Sequence, residues 1–209
     1  MKRIAPLFAI APALAIAACS ETDSLQDNGI ETTEASEPVM ANGVEALETI
    51  DAGLSVGEIA PLEAIFNTGE GETTLAGILE KGPAVLVFTR SVEWCPFCQT
   101  QLKGINAVVG DLAARGFKLY GVSYDSIESQ DRFSKNQMLE YQMLSDESST
   151  VIDAFGLRDP QYTEGKAVGV PYASVVVIDK DGKITAKSVS GDYKKRPTND
   201  QLLAIIDAI

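Results

Sequence analysis

The chain has 209 residues, enough for one domain of common size with an N-terminal appendage. A formal net charge of −13 makes a surface that repels polyanions, so no nucleic-acid partner is expected. With no histidine and three cysteines the chain has too few ligands for a zinc site, and neither a metal nor a cofactor is expected.

Lys2 and Arg3 precede an apolar run over residues 4–18 that only Pro6 and Pro12 interrupt. The run is too short to span a bilayer comfortably and has the layout of a secretory signal, assigned to residues 1–18. It ends in Ile16-Ala17-Ala18-Cys19, which resembles the lipobox of bacterial lipoproteins. That resemblance implies a lipid on Cys19, attachment to a membrane through it, and a bacterial cell-envelope location facing the periplasm; an ordinary signal peptide with a chance cysteine is the alternative. Residues 20–38 are polar, acidic and nearly free of large apolar side chains, so residues 19–53 are expected to act as a disordered tether. A weak amphipathic helical pattern over residues 39–50 is its one ordered feature.

The compact domain is expected over residues 54–209. Leu62 to Asn67 reads as a strand, Gly69-Glu70-Gly71 as a turn and Thr74 to Leu79 as a short helical turn. Pro83-Ala84-Val85-Leu86-Val87-Phe88 is a β-branched apolar run of the kind buried on both faces of a sheet. Beyond it, Leu102, Ile105, Val109 and Leu112 recur at helical spacing up to Gly116. Between strand and helix stands Trp94-Cys95-Pro96-Phe97-Cys98.

That junction is a place for thiol chemistry. The first turn of a helix offers unpaired N–H groups and a positive dipole end, and Pro96 at the first helical position costs no hydrogen bond. Cys95 is therefore expected to ionise near neutral pH, open to solvent, with Cys98 one turn later able to attack a bond formed at its sulfur. A Cys-x-x-Cys pair can also be half a zinc site or a structural bridge. The missing ligands argue against the first, and the small gain from closing so short a loop argues against the second.

Phe117 to Tyr124 reads as a second strand parallel to the first, followed by Ser126 as an N-cap and a helix marked by Ile127, Phe133 and Met138. Tyr141 to Asp146 is a short strand with its turn, and Val151 to Phe155 a helix stopped at Gly156. Val168-Gly169-Val170-Pro171 then precedes a strand over Tyr172 to Ile178, as a cis-proline loop would. Asp179-Lys180-Asp181-Gly182 is a hairpin turn, Lys183 to Val189 returns antiparallel, and Leu202, Leu203, Ile205 and Ile206 mark a final helix. Lys194-Lys195-Arg196 beside Pro197, the one basic cluster, reads as a solvated loop.

The order of strand, Trp-Cys-Pro-Phe-Cys, crossover, Gly-Val-Pro, hairpin and last helix resembles the thioredoxin-like superfamily, an α/β fold with a central mixed sheet flanked by helices. Arg90-Ser91-x-x-Trp94-Cys95-Pro96-Phe97-Cys98-x-x-Gln101-Leu102, with Gly121-Val122-Ser123-Tyr124-Asp125-Ser126 and Leu144-Ser145-Asp146, is similar to the alkyl hydroperoxide reductase and thiol-specific antioxidant, or peroxiredoxin-like, family. The resemblance implies an antioxidant oxidoreductase that reduces peroxides or protein disulfides and is recharged by a thiol electron donor. Carried over residue by residue, it makes Cys95 the attacking thiolate, Cys98 the resolving thiol and Pro171 the cis-proline opposite them. Trp94 would shield one side of the disulfide, or else pack as a core aromatic. The pattern departs in two places: Val92 stands where the family has a hydroxyl three residues before the cysteine, with Ser91 one place further off, and no arginine follows Pro171. Arg90 could replace that arginine if its side chain folds back; otherwise it is a surface or salt-bridged residue. A non-catalytic binding module on the same scaffold is the second reading, against which stand both cysteines and Gly169-Val170-Pro171 in order.

Overall fold

The computed structural model describes residues 48–209. The signal, Cys19, and nearly all of the tether with its helical pattern lie outside the described residues. Hydrophobic spacing builds a seven-stranded mixed sheet here. Its strands are β1 (Ile65–Thr68), β2 (Gly71–Thr74), β3 (Ala84–Phe88), β4 (Lys118–Ser123), β5 (Gln142–Ser145), β6 (Ala173–Ile178) and β7 (Ile184–Ser190), in the order β2-β1-β5-β4-β3-β6-β7. β3, β4 and β5 run parallel, while β6 pairs with β3, β7 with β6 and β1 with both β5 and β2 in antiparallel fashion.

β3 is wholly buried, and the period-two geometry of a strand sends its residues alternately to two cores. Leu86 and Phe88 join Phe66, Leu75, Ile78, Ile152 and Phe155 on one face, beneath α1 (Leu75–Leu79) and α5 (Thr150–Ala154). Val85 and Val87 join Leu102, Ile105, Leu112, Leu202 and Ile206 on the other, beneath α2 (Pro96–Ile105), α3 (Val109–Ala114) and α6 (Asn199–Asp207). α4 (Ile127–Gln137) crosses from β4 to β5.

Capping chemistry sets several boundaries as expected. Ser126 accepts from the Ser129 N–H to start α4, and Gly156 at φ +67° follows α5. Other boundaries differ from the sequence expectation. The first strand begins at Ile65 rather than Leu62, and the chain after the Gly69-Glu70-Gly71 turn returns as a second strand, its polar residues reading as turn because an edge strand needs no apolar face. The helix after the cysteines is interrupted at Asn106–Val108, where the Asn106 side chain leaves the helix to accept from the Glu140 N–H at 2.7 Å. Met138 is not on a buried stripe: it ends α4 in the left-handed region and is 80% exposed, while Leu139 packs in its place. No helix among the described residues is long and apolar enough to cross a membrane.

Candidate active site

The C-terminal ends of the parallel strands β3, β4 and β5 share one edge of the sheet, and the loop from Thr89 to Cys95 leaves β3 there. Asp125, at the end of β4 and 6% exposed, holds this loop. It accepts from the Ser91 hydroxyl at 2.6 Å, the Val92 N–H at 2.6 Å and the Ser123 hydroxyl at 2.7 Å. Ser91 in turn accepts from the Glu93 N–H at 2.9 Å, shaping the turn into α2. Gln99 donates back to the Val92 carbonyl at 2.7 Å. Burial pushes the Asp125 carboxyl above its ordinary range despite its three donors. Val92 is buried, and the Ser91 hydroxyl is committed to Asp125, so neither presents a free hydroxyl beside Cys95.

Cys95 is the N-cap of α2 and Pro96 its first residue, as the sequence implies. The two sulfurs are joined as a disulfide, and the Cys95 sulfur accepts from the Cys98 N–H at 3.3 Å. The expectation that Cys95 lies open to solvent is corrected: it is 2% exposed and Cys98 is fully buried. Long-range neighbours cover the pair, beginning with Arg196, whose Nη2 donates to the Cys98 sulfur at 3.1 Å.

Arg196 is a second correction, because it does not belong to a solvated loop. Its guanidinium turns inward from the β7–α6 connection, donating from Nε to the Tyr193 carbonyl at 2.9 Å and from Nη1 to the Gln101 side-chain oxygen. Lys194 and Lys195 are exposed, as expected of that segment. Burial, and then the proximity of Arg90, lowers the Arg196 pKa to about 10.

Arg90 is not on the surface, and among the described residues it has no salt bridge; it is 6% exposed and stacked among three aromatic rings. Its guanidinium carbon lies 4.0 Å from the Tyr193 ring centroid, 4.5 Å from Tyr162 and 5.0 Å from Trp94. Its Nε is buried and has no hydrogen-bond partner among the described residues. Trp94 is half-buried; its indole N–H donates to the Tyr124 hydroxyl at 2.9 Å, Tyr124 donates to the Lys166 carbonyl, and the Lys166 ammonium sits over the Trp94 ring at 5.0 Å. Phe97, 41% exposed, meets the edge of Tyr193 with ring centroids 5.7 Å apart.

Pro171 is buried and pairs with Arg158 ahead of β6. Phe88 faces Ser174 across β3 and β6, so extending that register carries Pro171 past the end of β3, to the edge that holds the cysteine loop. A groove of about 490 Å³ opens beside the disulfide between α2 and the segment leading into α6, lined by Pro96, Phe97, Gln101, Ile105, Lys194 and Arg196 among others.

The structure brings Cys95, Cys98, Pro96, Arg90 and Trp94 of the expected residues to one place, with Pro171 at the same edge of the sheet. Sequence reasoning missed Arg196, Tyr193, Tyr162, Tyr124 and Asp125 as parts of the site. Two signals were available: Tyr124 and Asp125 lie in a stretch that carries the family resemblance, and Arg196 belongs to the one basic cluster of the acidic domain.

Comparison with known proteins bears on this arrangement. Residues 56–187 match the model of the AhpC/TSA family. Peroxiredoxin Bcp of Escherichia coli (strain K12) is 29% identical over 150 residues, covering 72% of this chain and 94% of that protein. The crystal structure of peroxidoxin BcpB from Mycobacterium tuberculosis superposes with a TM-score of 0.63 at 23% identity, over 75% of this chain and 98% of that one. The bacterioferritin comigratory protein of Xanthomonas campestris, solved for insight into its alkyl peroxide reduction activity, gives 0.63 at 24% identity over 76% and 98%. At these identities the solved structures show the fold, a thioredoxin-like peroxiredoxin scaffold.

Proposed function

Because the chain belongs to the AhpC/TSA family, we propose that it is a thiol-dependent peroxidase whose reaction runs through the Cys95–Cys98 pair. The observation that carries this is the disulfide itself, closed across the first turn of α2 at the sheet edge where the parallel strands end. In the dithiol form the Cys95 thiolate attacks one peroxide oxygen. A sulfur–oxygen bond forms, the oxygen–oxygen bond breaks, and the departing oxygen leaves as water or an alcohol after taking a proton. Cys98 then attacks the Cys95 sulfur; a sulfur–sulfur bond forms, the sulfur–oxygen bond breaks and water leaves. Two electrons from an external thiol donor return the pair to dithiol.

Arg90 supports the site in this reading by adding positive charge beside Arg196, which touches the Cys98 sulfur, without the arginine that the family places after the proline loop. Burial of the bond adds a condition: peroxide or donor reaches Cys95 only after the surrounding side chains shift, a motion of the kind that takes nanoseconds to milliseconds. The two activities are separated by mixing the reduced protein with hydrogen peroxide and with a disulfide-bonded protein. Peroxide should be consumed, Cys95→Ser should abolish consumption, and Cys98→Ser should leave Cys95 as a trappable sulfenic acid. Failure to consume peroxide, whether or not the disulfide-bonded protein is reduced, or unchanged peroxide consumption in Cys95→Ser, overturns the proposal.

The same reading tethers the domain to the cell envelope through a lipid on Cys19, supported by Lys2-Arg3, the apolar run and Ile16-Ala17-Ala18-Cys19. Mass spectrometry of the mature N-terminus should find Cys19 first in the chain and carrying acyl groups. An unmodified Cys19 would end that part of the proposal.

A further inference from the structure

Arg196 touches the disulfide and Arg90 lies close to Arg196, and among the described residues neither has an acidic partner. Arg196 is bonded to a carbonyl, an amide oxygen and the Cys98 sulfur, all uncharged while the disulfide is closed. Arg90 has only ring faces, and its Nε is bonded to nothing among the described residues. The two cations are near enough for Arg90 to disfavour the charge on Arg196. The acids of the adjoining elements face elsewhere. Glu93 accepts from Ser129 and lies 3.6 Å from Arg132, Asp125 accepts from Ser91, Val92 and Ser123, and Asp192 accepts from the Lys194 N–H. Lys166 and Lys194 add more positive charge, over Trp94 and Tyr193 respectively, and α2 itself contributes only Lys103. In a chain of net charge −13, this is a local excess of positive charge around a buried and a half-buried arginine, with no anion among the described residues to balance it.

We infer that Arg196, backed by Arg90, is a binding site for the Cys98 thiolate, so that the resolving thiol is held ionised in the reduced enzyme. The inference rests on the Cys95–Cys98 redox reading of the preceding section. Reduction supplies the missing anion at the right atom. When a donor thiolate attacks the Cys95 sulfur, the donor–Cys95 bond forms, the Cys95–Cys98 bond breaks, and Cys98 departs as a thiolate 3.1 Å from a guanidinium nitrogen. The second thiol of a dithiol donor, as its thiolate, then attacks the donor sulfur bound to Cys95: the donor's own disulfide forms, the donor–Cys95 bond breaks, Cys95 leaves as a thiolate, and the donor departs oxidised by the two electrons that the enzyme has gained. Two consequences follow from the one contact. Cys98 can attack an oxidised Cys95 without first losing a proton, and the reduced state is stabilised relative to the disulfide, so that electrons pass readily from donor to enzyme.

The site is distinct from the backbone donors at the helix start, which serve Cys95. It also explains why an arginine that the sequence pattern assigns to solvent turns inward and is half-buried. Arg196 touches a reacting sulfur and is in that sense a catalytic residue, acting on resolution and recharging rather than on the first attack.

The test uses the full chain with Cys95→Ser, which leaves Cys98 to titrate alone at the site. Thiolate absorbance and alkylation of the Cys98 peptide, the latter read by mass spectrometry so that Cys19 does not interfere, are followed against pH with Arg196 intact, as Arg196→Gln and as Arg196→Lys. In the Gln variant the thiolate fraction at neutral pH should fall about tenfold, and Lys should restore part of it. In the protein with both cysteines, the equilibrium constant for reduction by dithiothreitol should fall about tenfold in Arg196→Gln, equivalent to about 30 mV. An unchanged Cys98 titration and an unchanged equilibrium constant in a folded Arg196→Gln protein overturn the inference. So does a Lys variant that behaves as Gln does, which would mark packing rather than charge. Neither measurement uses peroxide, so a protein that leaves peroxides untouched can still pass or fail.

Discussion

Replacing Asp125 by alanine is a direct test of how the cysteine loop is held. The carboxylate is 6% exposed and accepts three short hydrogen bonds, from the Ser91 hydroxyl, the Val92 N–H and the Ser123 hydroxyl. Alanine strands all three donors, and each buried unpaired donor costs about 1–3 kcal/mol. Two effects offset this. The wild-type carboxylate is itself held against desolvation, and the hydroxyl of Ser123 can turn to another acceptor while still receiving the Gln130 amide at 2.9 Å. The expected net loss is about 2–4 kcal/mol, a large share of the roughly 5–15 kcal/mol that holds a domain together. Asparagine keeps one oxygen for the Val92 N–H and should cost only about 1 kcal/mol. Urea unfolding of the oxidised protein reads both values. The reasoning is refuted if Asp125→Ala loses less than about 1 kcal/mol, or if asparagine proves as damaging as alanine.

The raised pKa of Asp125 gives that comparison a pH dependence. Its folded-state value lies above the unfolded value, so its contribution is fully present below the unfolded pKa, near 3.8, and is lost as pH rises through the folded one. The stability gap between wild type and Asp125→Asn should therefore widen as pH falls from 7 toward 4, and a gap that stays flat or narrows contradicts the assignment. Elsewhere, Gly121→Ala would place a Cβ 2.3 Å from the Met143 sulfur and 3.2 Å from a Leu102 methyl, beneath the helix that carries the cysteines. Thermal unfolding should show a loss of about 1–3 kcal/mol, and a neutral result would mean that Met143 and Leu102 repack without cost.

The amino-acid sequence by itself determined the frame of this site, because the signals are local. Five consecutive buried apolar residues in β3, a proline at the first position of α2 and a cysteine one turn beyond Cys95 place two sulfurs together at a helix start, whatever surrounds them. The same holds for Ser126 as a cap, Gly156 as a helix stop and the Asp179–Gly182 turn, where a single side chain or a missing Cβ decides the backbone. Only the tertiary structure decided what covers the sulfurs and what charge they meet. Arg196 reaches Cys98 from 98 residues away, and Tyr162 and Tyr193 close on Arg90 from two different connections. Those contacts depend on which strands are neighbours and where each loop leaves the sheet, and no periodicity records that. A basic triplet reads the same on the surface or at a disulfide until the β7–α6 connection is laid over α2, so a cation turned inward can be seen only when the fold has decided which neighbours it meets.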